Sequence, residues 1–361
     1  MRGSAKYKIL EELGSGGMGH VYKGLVIGQA GFQRPVVMKQ LRDSNDPAHL
    51  QLFVQEARRY ALLDHENIGR IFDFERVAGE MCIVLEYIDG WTLADYLERH
   101  RKLGRLPEVE LSVFIVSRVC RGLQYVFEKA AIVHRDVSPG NIMMTREGTV
   151  KLIDFGIATR SGTKDKALAG KPAYMAPEMV LELRADHRSD LFSLGAVLFE
   201  LLTLERLFQG ETAADVLEQV IAGHPPSPRA LNPAIPDGVM AILRHALQRD
   251  ASRRFASAAE MGGACEHYLY DKGYGPTNLT LKQYLHPLFP RDEAAVDPSG
   301  AEFALPPSAL VPLEETLAKP DALRTPFTGG TPAPTSDVSS AVKNHAPRHQ
   351  RRGRPRSSKI R

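Results

Sequence analysis

One stretch constrains this chain more than any other: residues 134 to 156, HRDVSPGNIMMTREGTVKLIDFG. Three polar side chains stand in it among apolar neighbours, those of Asp136, Asn141 and Asp154. A Glu-Gly pair at 147–148 predicts a turn between two short β-prone runs. A hairpin of that length would return Asp154 to the neighbourhood of Asn141, with Asp136 just ahead of both.

These residue types suit metal and phosphate chemistry. Carboxylates beside an amide oxygen are hard oxygen ligands, and Mg²⁺ accepts one or two such protein contacts. A further carboxylate nearby can orient a hydroxyl nucleophile and take its proton. A single Asp at a strand end is usually just solvated, but three polar residues at these offsets favour a functional site.

The stretch resembles the catalytic and metal-binding loops of Hanks-type (eukaryotic-like) protein kinases, in which Asp-x-x-x-x-Asn and Asp-Phe-Gly recur. The resemblance implies that Asp136 is the catalytic base, Asn141 a metal ligand and Asp154 the main Mg²⁺ ligand, with Mn²⁺ as a substitute. It also implies an α+β fold of two lobes, the small one β-rich with one helix and the large one mostly helical. His134 and Phe155 are expected to be packing residues.

A glycine cluster near the start predicts the nucleotide loop. Gly14, Gly16 and Gly19 form G-x-G-x-x-G inside residues 7–27, which alternate like a hairpin. Alone, the pattern fits a dinucleotide fold equally well. Here no helix follows, and Val21 comes two places on, which is the kinase spacing. Glycines let backbone N–H groups approach a triphosphate without a Cβ in the way.

Two charged residues of the small lobe complete the expected ATP site. Lys39 ends a short strand, Val-Val-Met-Lys, and resembles the lysine that holds the α- and β-phosphates. Glu56 lies in a helical pattern over 47–64 and matches the glutamate that pairs with that lysine in the active state. The resemblance also implies ATP contacts, beside Lys39 and the glycine loop, from Leu13, Val21, Val37, Leu85, Glu86, Ile88 and Met143.

Residues 157–175 and the following Ala-Pro-Glu resemble an activation segment with its anchor. Arg135 matches an arginine that commonly binds a phosphate on that segment. The candidate phosphorylation sites are Thr159, Ser161 and Thr163. By the same resemblance, Asp190 braces the catalytic loop and Arg254 pairs with Glu178.

Two departures from the family pattern occur together. Ser/Thr kinases usually have a lysine two residues after the catalytic Asp, where this chain has Ser138. They usually have a threonine where this chain has Lys171, in GKPAYMAPE. Either the enzyme is crippled, or the two side chains have exchanged places, with the Lys171 ammonium beside Asp136 and Ser138 supplying the hydroxyl. Both positions also differ between Ser/Thr and Tyr kinases.

Composition and length indicate a protein of the cytoplasm. The three cysteines are scattered and fit neither a disulfide framework nor a zinc site. No apolar signal region follows Met1, and the longest apolar run, 191 to 202, is too short for a membrane span. The expected divisions are the small lobe 1–88, the large lobe 89–270, an amphipathic helix docked on it within 271–292, and a disordered tail 293–361.

The tail is rich in proline and ends in a basic segment without acidic residues, 343 to 361. Its Arg352, Gly353, Arg354 and Pro355 resemble the core of an AT-hook, which lies in the narrow minor groove of A·T-rich DNA. A solvated or substrate-docking tail and a pseudosubstrate are the alternatives.

We therefore expect a bacterial protein kinase that uses MgATP to phosphorylate protein hydroxyls, Ser/Thr rather than Tyr, and that phosphorylates its own activation loop. The rival is a pseudokinase scaffold that signals through its tail; the intact catalytic residues argue against it. A nucleoid-associated kinase, addressed by the tail to the chromosome, is compatible with the first hypothesis.

Overall fold

The structure is a computed structural model. It describes residues 6–16, 19–28, 31–40, 60–77, 79–154, 171–223 and 225–290. All of these lie in the first of two compact units, Met1–Asp292, and none lies in the second, Glu293–Arg361. The helix predicted over 47–64 lies outside the described residues except for 60–64.

Within the described part of the small lobe, an antiparallel sheet has the strand order β1-β2-β3-β5-β4. The strands are β1 Tyr7–Gly16, β2 Gly19–Ile27, β3 Gln33–Gln40, β4 Ile71–Val77 and β5 Glu80–Glu86. Alternation along β3 turns Val36 and Met38 inward, where they are fully buried with Val84 of β5. The register pairs Lys39 with Ile83, which fixes the point at which the lysine leaves the sheet.

A second sheet, of three strands in the described residues, carries the predicted catalytic hairpin. Its order is β6-β7-β8, with β6 Gly90–Thr92, β7 Ile142–Thr145 and β8 Val150–Leu152. Gly148 in the β7–β8 turn has φ 80°, a conformation that favours glycine. The amide of Ile153 donates to the carbonyl oxygen of Asn141 at 2.9 Å, so the two ends of the hairpin meet as predicted.

Helices make up most of the large lobe. In the described residues they are α1 Leu93–Leu103, α2 Val109–Ala130, α3 Pro177–Leu181, α4 His187–Thr203, α5 Ala213–Ala222, α6 Pro228–Leu231, α7 Asp237–Ala246, α8 Ala258–Tyr270 and α9 Asn278–Leu288. Because α4 is apolar on nearly every face, it is buried at the centre of the lobe. None of these helices combines the length and apolar character that crossing a membrane requires.

The start of α2 differs from the prediction. The sequence predicts a helix over 108–130 that Pro107 would start from its first turn. Instead, α2 begins at Val109 and Glu108 is the N-cap. Pro107 therefore precedes the cap. It starts no helical turn, although its restricted backbone still suits an extended approach to the helix.

The helix predicted within 271–292 is present as α9, and it is shorter than that range. Thr277 is its N-cap and forms a capping box with Thr280. Leu281, Leu285 and Leu288 are buried against the large lobe, whereas Leu279 is 60% exposed.

Candidate active site

Asp136 is held through both carboxylate oxygens. The side-chain nitrogen of Asn141 donates to Asp136 Oδ2 at 2.8 Å and to the Asp136 carbonyl oxygen at 2.7 Å. The backbone amide of Lys171 donates to Asp136 Oδ1 at 3.2 Å. The carboxylate thus has a fixed orientation between the catalytic hairpin and Lys171, the residue that caps the short 3-10 helix Pro172–Tyr174.

Asn141 and Asp154 present a donor set that suits a hard divalent cation. Because the nitrogen of Asn141 faces two acceptors, its amide oxygen is the atom left to act as a ligand. Asp154 has a left-handed backbone, with φ 59°, and its Oδ1 accepts a 2.5 Å hydrogen bond from the Lys39 ammonium. Carboxylate and amide oxygens are the ligands that Mg²⁺ prefers, so the residues present fit it.

The buried carboxylate of Asp190, on α4, fixes the loop ahead of Asp136. It accepts hydrogen bonds from the backbone amides of His134 at 2.8 Å and Arg135 at 2.7 Å. Burial raises the pKa of Asp190, and the charges and amides around His134 and Arg135 oppose that shift. Asp190 lies where the resemblance predicted a brace.

His134 does more than pack. Its Nε2 lies 3.0 Å from the carbonyl oxygen of Ile153, and its Nδ1 lies 3.3 Å from the amide nitrogen of Asp136. A carbonyl oxygen can only accept, so the hydrogen in the contact with Ile153 belongs to Nε2. The ring therefore ties the catalytic loop to the end of the hairpin.

Ser138 and Lys171 are in direct contact, as an exchange of roles requires. The Lys171 ammonium donates to the Ser138 hydroxyl at 2.8 Å, although 33 residues separate them in the chain. Ser138 is fully buried. A methyl group on Gly140 would lie 3.1 Å from the Lys171 Nζ, so the ammonium lies against the catalytic loop.

The predicted pair of Glu178 and Arg254 is present, with the Arg254 side chain fully buried and that of Glu178 17% exposed. Arg254 donates to the two carboxylate oxygens of Glu178 at 2.7 and 2.8 Å, and the Ser189 hydroxyl donates to one of them at 2.6 Å. Burial alone would raise the pKa of Glu178, but the hydrogen bonds from Arg254 and Ser189 outweigh it and the pKa is lowered.

Replacing Arg254 by methionine is expected to destabilise the protein by about 3 kcal/mol, because it leaves the Glu178 carboxylate buried without its partner. Urea unfolding measures the loss. Arg253→Met is the matched control, since that neighbouring side chain is 76% exposed and pairs with Asp250 at 3.8 Å. Equal stability of the two variants would contradict the prediction.

A second buried carboxylate near the site was missed from the sequence. Glu200 on α4 accepts hydrogen bonds from Arg101 at 2.6 Å and from the Tyr174 hydroxyl at 2.5 Å. Burial, and then the neighbouring carboxylate, raise the pKa of Tyr174. The sequence did hold a signal: Glu200 interrupts the apolar run 191 to 202, and a charge in a buried helix needs a partner.

Most of the residues expected around ATP lie on strands β1, β2, β3 and β5 of the small-lobe sheet. Val21 pairs with Lys39 across β2 and β3, and Val37 pairs with Leu85 across β3 and β5. A Cβ on Gly14 would meet nothing within 4 Å, which leaves room for a close approach of phosphate to the backbone. The other described members of the expected set are Leu13, Gly16, Gly19, Glu86, Ile88 and Met143.

The amide nitrogen of Glu86 donates to the Arg70 carbonyl oxygen at 2.9 Å, and its carboxylate accepts from Lys151 at 3.1 Å. The amide is therefore engaged with the protein itself, and the carbonyl oxygen is the backbone atom of Glu86 to consider for adenine. Several residues with predicted roles lie outside the described part of the chain: Glu56, Thr159, Ser161, Thr163 and residues 352–355.

The fold and this site define a protein kinase, and comparison with known proteins agrees. Residues 7–267 match the family model for the protein kinase domain, so the chain belongs to the protein kinase family. The predicted α+β fold, with a β-rich small lobe and a helical large lobe, is confirmed.

The relatives include both a tyrosine kinase and serine/threonine kinases. The chain is 34% identical over 295 residues to the tyrosine-protein kinase MasK of Myxococcus xanthus, which covers 77% of this chain and 45% of MasK. It is 34% identical over 266 residues to the serine/threonine-protein kinase PrkC of Bacillus subtilis, which covers 72% and 40%. The chain thus spans less than half the length of these curated relatives.

Among solved structures, the PknI kinase domain of Mycobacterium tuberculosis is similar, with a TM-score of 0.57 and 25% identity. The match covers 73% of this chain and 95% of that domain, so it takes in both lobes of the kinase fold.

Proposed function

We propose that this chain is a protein kinase that transfers the γ-phosphate of MgATP to serine and threonine hydroxyls of proteins, including those of its own activation segment. The observation that carries the proposal is the arrangement of Asp136, which is held through both carboxylate oxygens and lies beside the metal-type ligands Asn141 and Asp154.

Each residue has a distinct task in this proposal. Lys39 binds the α- and β-phosphates, and Asn141 and Asp154 hold Mg²⁺, which neutralises charge on the phosphates. Asp136 orients the acceptor hydroxyl and takes its proton. Positioning and charge neutralisation supply most of the rate in phosphoryl transfer, so rigid placement of these groups matters more than any covalent step.

Lys171 and Ser138 are proposed to replace the usual lysine and threonine in exchanged positions. The ammonium would stabilise negative charge on the transferred phosphoryl group, and the Ser138 hydroxyl would hold it in place. The 2.8 Å contact between them supports this, because a lysine amine beside a fully buried hydroxyl has a defined position.

The test is incorporation of labelled phosphate from MgATP by the purified full chain, with a generic protein substrate, beside Asp136→Asn. Phosphosites are mapped by mass spectrometry. We expect phosphate on Thr159, Ser161 or Thr163 in the wild type and none in the variant. Phosphotyrosine instead would contradict the proposed specificity for serine and threonine. No incorporation by the wild type would contradict the proposed kinase activity and favour a pseudokinase scaffold.

For residues 352–355 the sequence supports contact with A·T-rich DNA, because arginines beside a proline suit a narrow, strongly negative minor groove. Such contact would associate the kinase with the nucleoid. Gel shifts of A·T-rich and G·C-rich duplexes, with the full chain and with a chain ending at residue 342, test it. Equal retardation of both duplexes would leave only general charge attraction.

A further inference from the structure

Helix α9 lies beyond the residues that match the kinase family model, and its first turn rests on the tip of the catalytic hairpin. The turn between β7 and β8 approaches so closely that a Cβ on Gly148 would collide with the carbonyl oxygen of Asn278 and lie 2.8 Å from the amide nitrogen of Lys282. Lys282 also forms an ion pair with Glu147 of the same turn.

The other end of α9 holds the strand that pairs with β7. Phe289 stacks on Trp91 of β6, with ring centroids 4.6 Å apart and planes 14° from parallel. The guanidinium of Arg146, at the end of β7, covers the Trp91 ring at 4.7 Å. Arg99 of α1 donates to the carbonyl oxygen of Leu288 at 2.9 Å.

Between these ends the helix is anchored in the large lobe. Leu281 and Leu285 are fully buried. The Tyr284 hydroxyl accepts a 2.9 Å hydrogen bond from Arg105 and lies 3.3 Å from Nε2 of the buried His100. Two fully buried leucines contribute about 4 kcal/mol of hydrophobic burial, enough to make α9 a firm support.

What α9 supports is the hairpin that carries the proposed metal ligands. Asn141 directly precedes β7 and Asp154 follows β8 by two residues. Each strand is only three or four residues long. A hairpin this short is marginal on its own. Its inward side chains Ile142, Met144, Val150 and Leu152 are fully buried in the core, and α9 adds the contacts at its tip and edge.

We propose that α9 is a positioning element for the metal ligands: by fixing the tip and edge of the β7–β8 hairpin, it sets the placement of Asn141 and Asp154. The inference rests on the proposed kinase function. Displacing α9 should weaken the gain in nucleotide affinity that Mg²⁺ provides, while nucleotide binding without metal changes little.

The experiment uses the full chain with Gly148→Ala, in which the new methyl group and the docked helix cannot occupy the same space. Gly31→Ala is the matched control, because Gly31 has φ 79° against 80° for Gly148 but a Cβ there would meet nothing within 4 Å. Calorimetric titration with ADP, with and without Mg²⁺, gives the metal-dependent gain, which is the factor by which Mg²⁺ increases the affinity for ADP. We expect it to fall about tenfold in Gly148→Ala and to be unchanged in Gly31→Ala.

A second pair of variants, at Phe289, tests the inference if Gly148→Ala does not fold. Phe289→Ala removes the ring on Trp91, and Phe289→Tyr keeps it; the metal-dependent gain should fall in the first and be retained in the second. A gain like that of the wild type in Gly148→Ala, or in Phe289→Ala if Gly148→Ala fails to fold, would overturn the inference. If wild-type ADP affinity does not depend on Mg²⁺ at all, the proposed function itself fails.

Discussion

The Asp136→Asn variant is expected to bind MgADP with affinity within about twofold of the wild type and to lose about 10³-fold in kcat, the range of a missing general base. An asparagine keeps the size of the side chain but has only one acceptor oxygen. Both Asp136 oxygens now accept hydrogen bonds, from Asn141 and from the Lys171 amide. The amide NH₂ must therefore face one of these donors, and the side chain can no longer take a proton.

Phosphate transfer to a generic protein substrate at saturating MgATP measures kcat, and calorimetry measures the MgADP affinity. Asp237→Asn is the control, because that carboxylate, at the start of α7, is 92% exposed and pairs with Arg229. Loss of MgADP binding in parallel with kcat would show that Asp136 supports the nucleotide site rather than the chemistry. Retention of more than about a tenth of the wild-type kcat would exclude a role as base.

The local geometry of the site was readable from the sequence. The hairpin was predicted because β-prone runs flank a Glu-Gly pair, and β7 and β8 pair antiparallel, with Ile142 opposite Leu152. The partners of Asp190, Glu178 and Arg254 came from the family resemblance, and each of these side chains makes the expected contact.

Contacts that depend on how distant segments pack were not readable. The bond from the Lys171 amide to Asp136 joins residues 35 apart, and no periodicity encodes it. The Glu200 cluster required knowing that α1 and the segment after residue 170 converge on α4. The docking site of α9 depends on the shape of the hairpin tip, where Gly148 is needed for the close approach of Asn278 as well as for its own φ.

Unlike those contacts, the two departures from the family pattern, Ser138 and Lys171, are visible in the sequence, and the structure adds how the two side chains are placed. From the sequence, Ser138 and Lys171 indicated either a crippled enzyme or an exchange of roles. Their 2.8 Å contact is the geometry that the exchange requires. Since a chain that had merely lost both functions would have no need to keep a lysine against a buried serine, the geometry favours an active enzyme over a scaffold.

Lys171→Ala is accordingly expected to lower kcat about 10²-fold, the effect of removing one preorganised cation from a developing phosphoryl charge. Ser138→Ala should cost about tenfold, because the ammonium then loses the hydroxyl that positions it. If the two act as a unit, the double alanine variant should be no slower than Lys171→Ala alone, since residues of one network are non-additive.

The decisive variant restores the usual family order, Ser138→Lys combined with Lys171→Thr. Steady-state phosphate transfer should recover to within about tenfold of the wild type, although each single change on its own is slow. Lys102→Ala is the control for loss of a surface lysine, since that side chain is 65% exposed and pairs with Glu98 one turn away. Near-full turnover in both Lys171→Ala and Ser138→Ala would refute the exchange. An inactive Ser138→Lys, Lys171→Thr chain beside slow single variants would contradict the prediction that the two side chains have exchanged places, because the restored order would then not restore the function.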